Sequence, residues 1–320
     1  MSAPPSPTLP WSPSKARTPA SISDEDEEDR NMPGLNRSIG RTLHLFNSAD
    51  REKVIGGLIL TNGVTNSLIY SMVEVIVVVT SEFSLRNEDD ATIPKDDAQA
   101  VPGNYFIHAV EPFALNDETP LLRTISHGIG TRTKVFCNEV RQRDRRCVVT
   151  RQEALGAYRD DWSGYEAAHL FPIAYEAYWS ENNFGRWISI VPERGGSINS
   201  VQNGLLLRSD IHQLFDNYTF AINPDDGHKI VFFSEDAYNL AGTHLDRRIL
   251  DDPRRPVDQL FRWHFRQAIL VNMKGAGEPQ FEHDFPPGSD QIGDILKGPK
   301  AAERMEFEMF TRFALDFDSL

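Results

Sequence analysis

Cysteine is almost absent. The 320 residues hold two, Cys137 and Cys147, with no Cys-x-x-Cys or Cys/His spacing around them. That excludes a disulfide framework and a zinc ribbon, and it fits a reducing compartment. Long hydrophobic runs are missing as well. The best of them, Ser67 to Val79, carries Glu74 and is too short to span a bilayer, so no membrane partner is expected. Basic residues are in deficit: 33 Lys and Arg stand against 47 Asp and Glu, for a net charge of −14. Phosphate neutralisation supplies most non-specific affinity for nucleic acid, so this deficit excludes a broad footprint and leaves room only for a local basic patch. The opening segment is Pro/Ser-rich and then acidic, unlike a secretory leader. An intracellular protein, in nucleus or cytoplasm, is expected.

Composition along the chain predicts four regions. Residues 1–38 form a disordered tail, with Ser-Pro and Thr-Pro dipeptides followed by Asp24 to Asp29. Such a segment buries too little apolar surface to offset its ordering entropy. Residues 39–128 are an α+β region of unknown role, in which Val73 to Val79 is expected as a buried strand and Asn104 to Ala109 as another. Residues 129–238 carry the motifs described next. Residues 239–320 are a C-terminal helical region with two helical patterns, Val257–Met273 and Ala301–Phe317, around a Gly/Pro-rich linker.

Two segments concentrate the chemistry. The first is Tyr165-Glu-Ala-Ala-His169-Leu-Phe-Pro172, a short strand-like run ended by a proline. The second is Asn203-Gly-Leu-Leu-Leu-Arg-Ser-Asp-Ile-His212-Gln-Leu-Phe-Asp216. It reads as a buried strand, a Ser209 cap and a helix. His212 and Asp216 lie one turn apart and share a helix face. An order His…Asn…His on strand, strand and helix can hold one divalent metal and one general base against a phosphodiester. A hard cation takes carboxylate, amide, imidazole and water ligands. A neutral imidazole near pH 7 can take the proton of an attacking water. Asp216 enters from the one-turn spacing alone, as a second ligand or a brace for a metal-bound water.

These residues resemble the HNH endonuclease superfamily, which has a ββα-metal fold, and within it the HNH-domain proteins common in fungi. The resemblance rests on Cys147-Val-Val-Thr150, Ala167-Ala-His169-Leu-Phe-Pro172 and the run from Asn203 to Asp216. It covers roughly residues 130–235. It implies an α+β protein with a ββα-metal core and an endonuclease activity that hydrolyses the phosphodiester bonds of nucleic acid, DNA ahead of RNA. His169 matches the general base, Asn203 the residue that orients the loop, and His212 the metal ligand. The implied cofactor is a divalent metal, Mg²⁺ or Mn²⁺, with Zn²⁺ as the alternative. One position departs: well-studied members of the superfamily carry Asp, Glu or His just before the base as a metal ligand, and here that residue is Ala168. Glu166 is the nearest acid and the candidate replacement ligand. The alternative reading is a catalytically inactive HNH-fold protein used for binding or regulation.

A basic cluster precedes the motifs. Arg141, Arg143, Arg145 and Arg146 are candidates for contact with a nucleic-acid backbone; an ordinary charged helix face is the equal alternative. The segment Ala174–Ser200, rich in Trp, Tyr and Gly, separates the two halves of the site. Tyr178, Trp179 and Trp187 are candidates for base stacking, with packing as the stronger reading.

Overall fold

The computed structural model describes residues 37–121 and 133–275. The tail up to residue 36, the Gly/Pro-rich linker and the expected helix Ala301–Phe317 lie outside the described residues.

The chain opens with a hairpin of β1 (Leu43–Asn47) and β2 (Asp50–Leu58). Helix α1 (Asn66–Ile76) follows, then β3 (Val77–Val78), β4 (Phe83–Arg86), β5 (Thr92–Ile93), β6 (Gly103–Ala109) and β7 (Ala114–Leu115). The main sheet runs β2-β1-β6-β4-β5, with β1 and β6 parallel. The expected strand Val73–Val79 is corrected in part: Val73–Ile76 close helix α1, and only Val77–Val78 form a strand, β3. Thr65 caps that helix by accepting a hydrogen bond from the Leu68 amide. Its apolar residues recur at Leu68, Ile69, Met72, Val73 and Ile76, which puts them on one buried face. Burial of that face overrides the strand preference of the β-branched residues.

The second half holds α2 (Lys134–Asp144), β8 (Tyr165–His169), α3 (Glu176–Glu181), β9 (Gly204–Arg208), α4 (Ser209–Asp216), β10 (Phe220–Asn223), β11 (Lys229–Phe232), α5 (Arg247–Leu250) and α6 (Asp258–Asn272). Strands β8 and β9 are antiparallel, and β9 runs straight into α4. The cap of α4 differs from expectation. Ser209 is the first helical residue, and Arg208, still extended, occupies the cap position without a side-chain bond. Instead Asp210 accepts from the Ile211 amide and pairs with Arg208 at 2.7 Å.

The hairpin β10–β11 is buried on both faces. Phe220, Ile222, Ile230 and Phe232 pack with the β8–β9 half, while Ala221, Val231 and Phe233 pack with the N-terminal sheet and α1. Helix α6 runs alongside and divides in the same way. Leu260, Phe261 and Trp263 belong to the first core; Phe265, Ala268, Ile269 and Val271 belong to the second. The sequence places this helix in a separate C-terminal region. The structure packs its apolar residues into both cores, while Arg262 and Arg266 stay at the surface. Polar ties reinforce the junction. Tyr218, fully buried with a left-handed φ of 55°, donates its hydroxyl hydrogen to the Leu121 carbonyl. Its own carbonyl accepts from Asn272, whose Oδ1 in turn accepts from Arg37.

A shared hairpin predicts shared unfolding. All tryptophans among the described residues lie in the second half. Ile269→Ala, which removes core contacts on the N-terminal side, should cost about 2–5 kcal/mol. It should lower the unfolding midpoint seen by tryptophan fluorescence as much as that seen by far-UV circular dichroism. A fluorescence midpoint left at the wild-type value would show that the two cores unfold independently.

Candidate active site

Strand alternation sets the geometry. The register pairs Tyr165 with Arg208, Glu166 with Leu207, Ala168 with Leu205 and His169 with Gly204. Ala167 and His169 face α2, whose Phe136 and Val140 cover them. Glu166 and Ala168 face α4, over a core that includes Leu205, Leu207, Ile211 and Phe215. His169 therefore faces α2, while His212 of α4 approaches the opposite face of the β8–β9 ribbon.

On the α4 face three side chains meet. Nδ1 of His212 lies 2.8 Å from Glu166 Oε2, and Nε2 lies 3.2 Å from Asp216 Oδ2. The imidazole is almost buried, with 8% of its side chain exposed, whereas both carboxylates are partly open to solvent. Ala168 is fully buried on the same face. Glu166, two residues earlier and hence on that same face, is the acid that reaches His212.

On the α2 face His169 is 4% exposed. Its ring lies flat against Phe136, with centroids 3.8 Å apart and planes 8° from parallel. Gly204 makes this approach feasible: a Cβ there would sit 2.5 Å from Val140 Cγ2 and 2.7 Å from the Phe136 ring. Asn203, fully buried, ties down the segment after His169. Its Oδ1 accepts from the Phe171 amide at 2.8 Å, and its Nδ2 donates to the Phe171 and Ile198 carbonyls. Its backbone carbonyl accepts from the Leu170 amide at 2.9 Å. Both Nδ2 hydrogens and one acceptor site of Oδ1 go into loop geometry.

The arginines separate into two kinds. Arg143 is corrected: its side chain is fully buried and cannot meet a nucleic-acid backbone. It pairs side-on with Asp144 and donates to the carbonyls of Val201, Gly204 and Arg254. Asp144 also accepts from the Leu206 amide, so the pair pins α2 to β9. Burial raises the Asp144 carboxyl above its ordinary range, against the pull of Arg143. Arg141 stacks over Trp162 at 5.3 Å. Arg145, in a left-handed conformation at the helix end, is exposed; Arg146 pairs with Glu153.

Within the Ala174–Ser200 segment Trp179 is buried and donates Nε1–H to Ser197. Trp187 stacks on Phe184 at 4.7 Å, and Tyr178 is 39% exposed at the edge of the same cluster. Packing accounts for Trp179. Sequence reasoning missed Phe136 and the Arg143–Asp144 pair. The adjacent opposite charges at a helix end were the available signal for the pair; nothing local marks Phe136 as the partner of a residue 33 positions on.

Residues 147–223 match the family model described as HNH endonuclease. Residues 40–114 match a domain of unknown function (DUF8573). No curated protein and no solved structure matches the chain. The HNH match places this segment with a class of nuclease domains, and so points to nuclease activity in general and to nucleic acid as substrate. It spans β8, β9, α4 and β10 and stops short of α2, which carries Phe136 and Arg143. No helix among the described residues is long and apolar enough to cross a membrane.

Because Arg143 is a buried, paired charge, its removal leaves Asp144 uncompensated. Arg143→Ala should cost about 3–5 kcal/mol in urea-induced unfolding, whereas Arg145→Ala should stay near wild type. Equal effects from the two variants would contradict this division.

Proposed function

We propose that this protein is a metal-dependent endonuclease of the HNH type, hydrolysing phosphodiester bonds of nucleic acid. One observation carries the reading: Glu166, His212 and Asp216 come together on the strand and helix of the segment that matches the HNH endonucleases.

The donor set fits a divalent cation at two residues rather than three. Among the described residues no group of three or more His, Cys, Asp or Glu is arranged to hold a metal ion. The reason is visible at His212, whose two ring nitrogens face different carboxylates. Only a doubly protonated ring donates to both. A cation held by Nε2 and Asp216 would take the place of one proton and leave Nδ1–H on Glu166, the usual arrangement in which a carboxylate orients a ligating imidazole. Glu166 then acts as the orienting acid. Mg²⁺ and Mn²⁺ suit such a site, because Mg²⁺ keeps several waters and needs few protein ligands. When bound, the ion supplies Lewis-acid stabilisation of the charge that develops on the phosphate and the leaving oxygen.

His169 is the general base in this reading, taking the proton of the attacking water. Asn203 holds Leu170 and Phe171, and through them the end of β8, in place. Ring stacking on Phe136 fixes the plane of the imidazole.

The second reading, an inactive HNH scaffold used for binding, is favoured by where His169 sits, facing α2 on the side of the ribbon opposite the one that His212 approaches. His169 is 4% exposed and covered by Phe136, so a water or phosphate reaches it only if that cover shifts.

Cleavage of plasmid DNA and of single-stranded RNA, with Mg²⁺ or Mn²⁺, decides between them. Under the first reading EDTA stops cutting, and His212→Ala and Asp216→Asn abolish it. His169→Ala should lower the rate by roughly 10²–10⁴-fold, the usual worth of a positioned base. Absence of cutting by folded wild-type protein with either metal would sink the catalytic reading and leave the scaffold.

A further inference from the structure

The charge that faces solvent beside the site is not the charge of the whole chain. Where α2 ends, the left-handed turn at Arg145 carries the chain outward and exposes that residue. Next to it Arg146 approaches Asp246 at 3.9 Å, and Asp246 caps α5 by accepting from the Arg248 amide. The result is a cleft of about 200 Å³ lined by Arg145, Arg146 and Arg248 together with Asp246, the paired Arg143 and Asp144, and the apolar Val148 and Ile249. Arg151 lies on the same side, its guanidinium donating to the carbonyl of His244 beside α5. Arg247, 90% exposed, stands at the start of α5.

Apart from the mutually paired Arg143 and Asp144, these five guanidinium groups face three carboxylates, Glu153, Asp246 and Asp251. Arg145 and Arg151 form no ion pair among the described residues, and Arg247 reaches Asp251 only at 3.7 Å. In a chain of net charge −14, a solvent-facing cationic surface is a local exception. Fixed local charge of this kind raises the local concentration of an anionic partner even when the protein as a whole repels it. The surface is also continuous with the candidate active site. Arg151 is followed by Gln152, whose side chain accepts from Arg208, and Arg208 is the last residue of β9 before the α4 helix that carries His212.

We propose that the Arg145–Arg146–Arg248 cleft, extended by Arg151 and Arg247, is a docking surface for the phosphodiester backbone of duplex DNA. The proposal deepens the nuclease reading and rests on the nucleic-acid substrate named there. It replaces Arg141 and Arg143 with residues brought in from α5, some hundred positions further along the chain. Arginine suits the task, since its planar fork matches phosphate oxygens in pairs. A backbone track of this kind positions the substrate and reads no sequence.

The test is fluorescence anisotropy of a labelled 20-base-pair DNA duplex with the full chain, in EDTA and across KCl concentrations. EDTA makes binding independent of cleavage, so a chain that never cuts DNA can still pass. The double variant Arg145→Glu/Arg248→Glu should bind roughly tenfold or more weakly, and its plot of log affinity against log salt should be shallower by about two phosphate contacts. Arg51→Glu/Lys53→Glu on β2 adds the same negative charge elsewhere and should bind within about twofold of wild type, which separates a local contact from net-charge repulsion. Equal loss in both double variants would overturn the proposal. So would undetectable duplex binding by the wild type, or preferential binding to vesicles of anionic lipid.

Discussion

Burial on both faces of the β10–β11 hairpin is the constraint on which the rest of the molecule depends. A hairpin alone is marginal in water. This one contributes Phe220, Ile222, Ile230 and Phe232 to one core and Ala221, Val231 and Phe233 to the other. Helix α6 lies along it and divides its apolar residues by the same rule. The strict two-residue alternation of the hairpin thereby fixes where the N-terminal sheet stands relative to the β8–β9–α4 unit. A one-residue slip would exchange the two sets of side chains between the cores.

The candidate site inherits its form from a second alternation, along β8. Consecutive residues point to opposite faces, so Glu166 turns toward His212 while His169 turns toward Phe136. Glu166, two residues before Ala168 and on the same face, is the acid that reaches His212. The same geometry explains why Ala168 is tolerated there: it sits fully buried among Leu205, Leu207 and Phe215.

Much of this was legible in the sequence. The turn residues Asn223 to His228 and the apolar runs beside them marked the hairpin, and Asn203-Gly-Leu-Leu-Leu marked β9 running into a helix. The one-turn spacing of His212 and Asp216 placed both on one helical face, and the structure has them 3.2 Å apart. What was hidden depends on contacts distant in sequence. Val73 to Val79 has the composition of a strand, and only the Thr65 cap and the burial of Leu68, Ile69 and Met72 make its first four residues the end of a helix. Arg143 looks like its neighbours in a basic run; its burial follows from three carbonyls that β9, the turn before it and the α5–α6 connection bring to it. Counting arginines cannot tell a solvent-facing cation from one consumed by packing.

The buried Arg143–Asp144 pair also bears on how this chain can be divided. Recognisable HNH similarity begins at Cys147, a few residues after that pair, and ends at Asn223, before β11. A fragment cut at those limits would lose the guanidinium that holds the carbonyls of Val201 and Gly204, and the carboxylate that holds the Leu206 amide. It would also expose one side of β10, which has β11 as its ladder partner. The span that similarity identifies is therefore smaller than the span that can be excised intact. Even a fragment from Thr133 to the end of α6 would leave Ala221, Val231, Phe265 and Ile269 without the N-terminal residues that cover them.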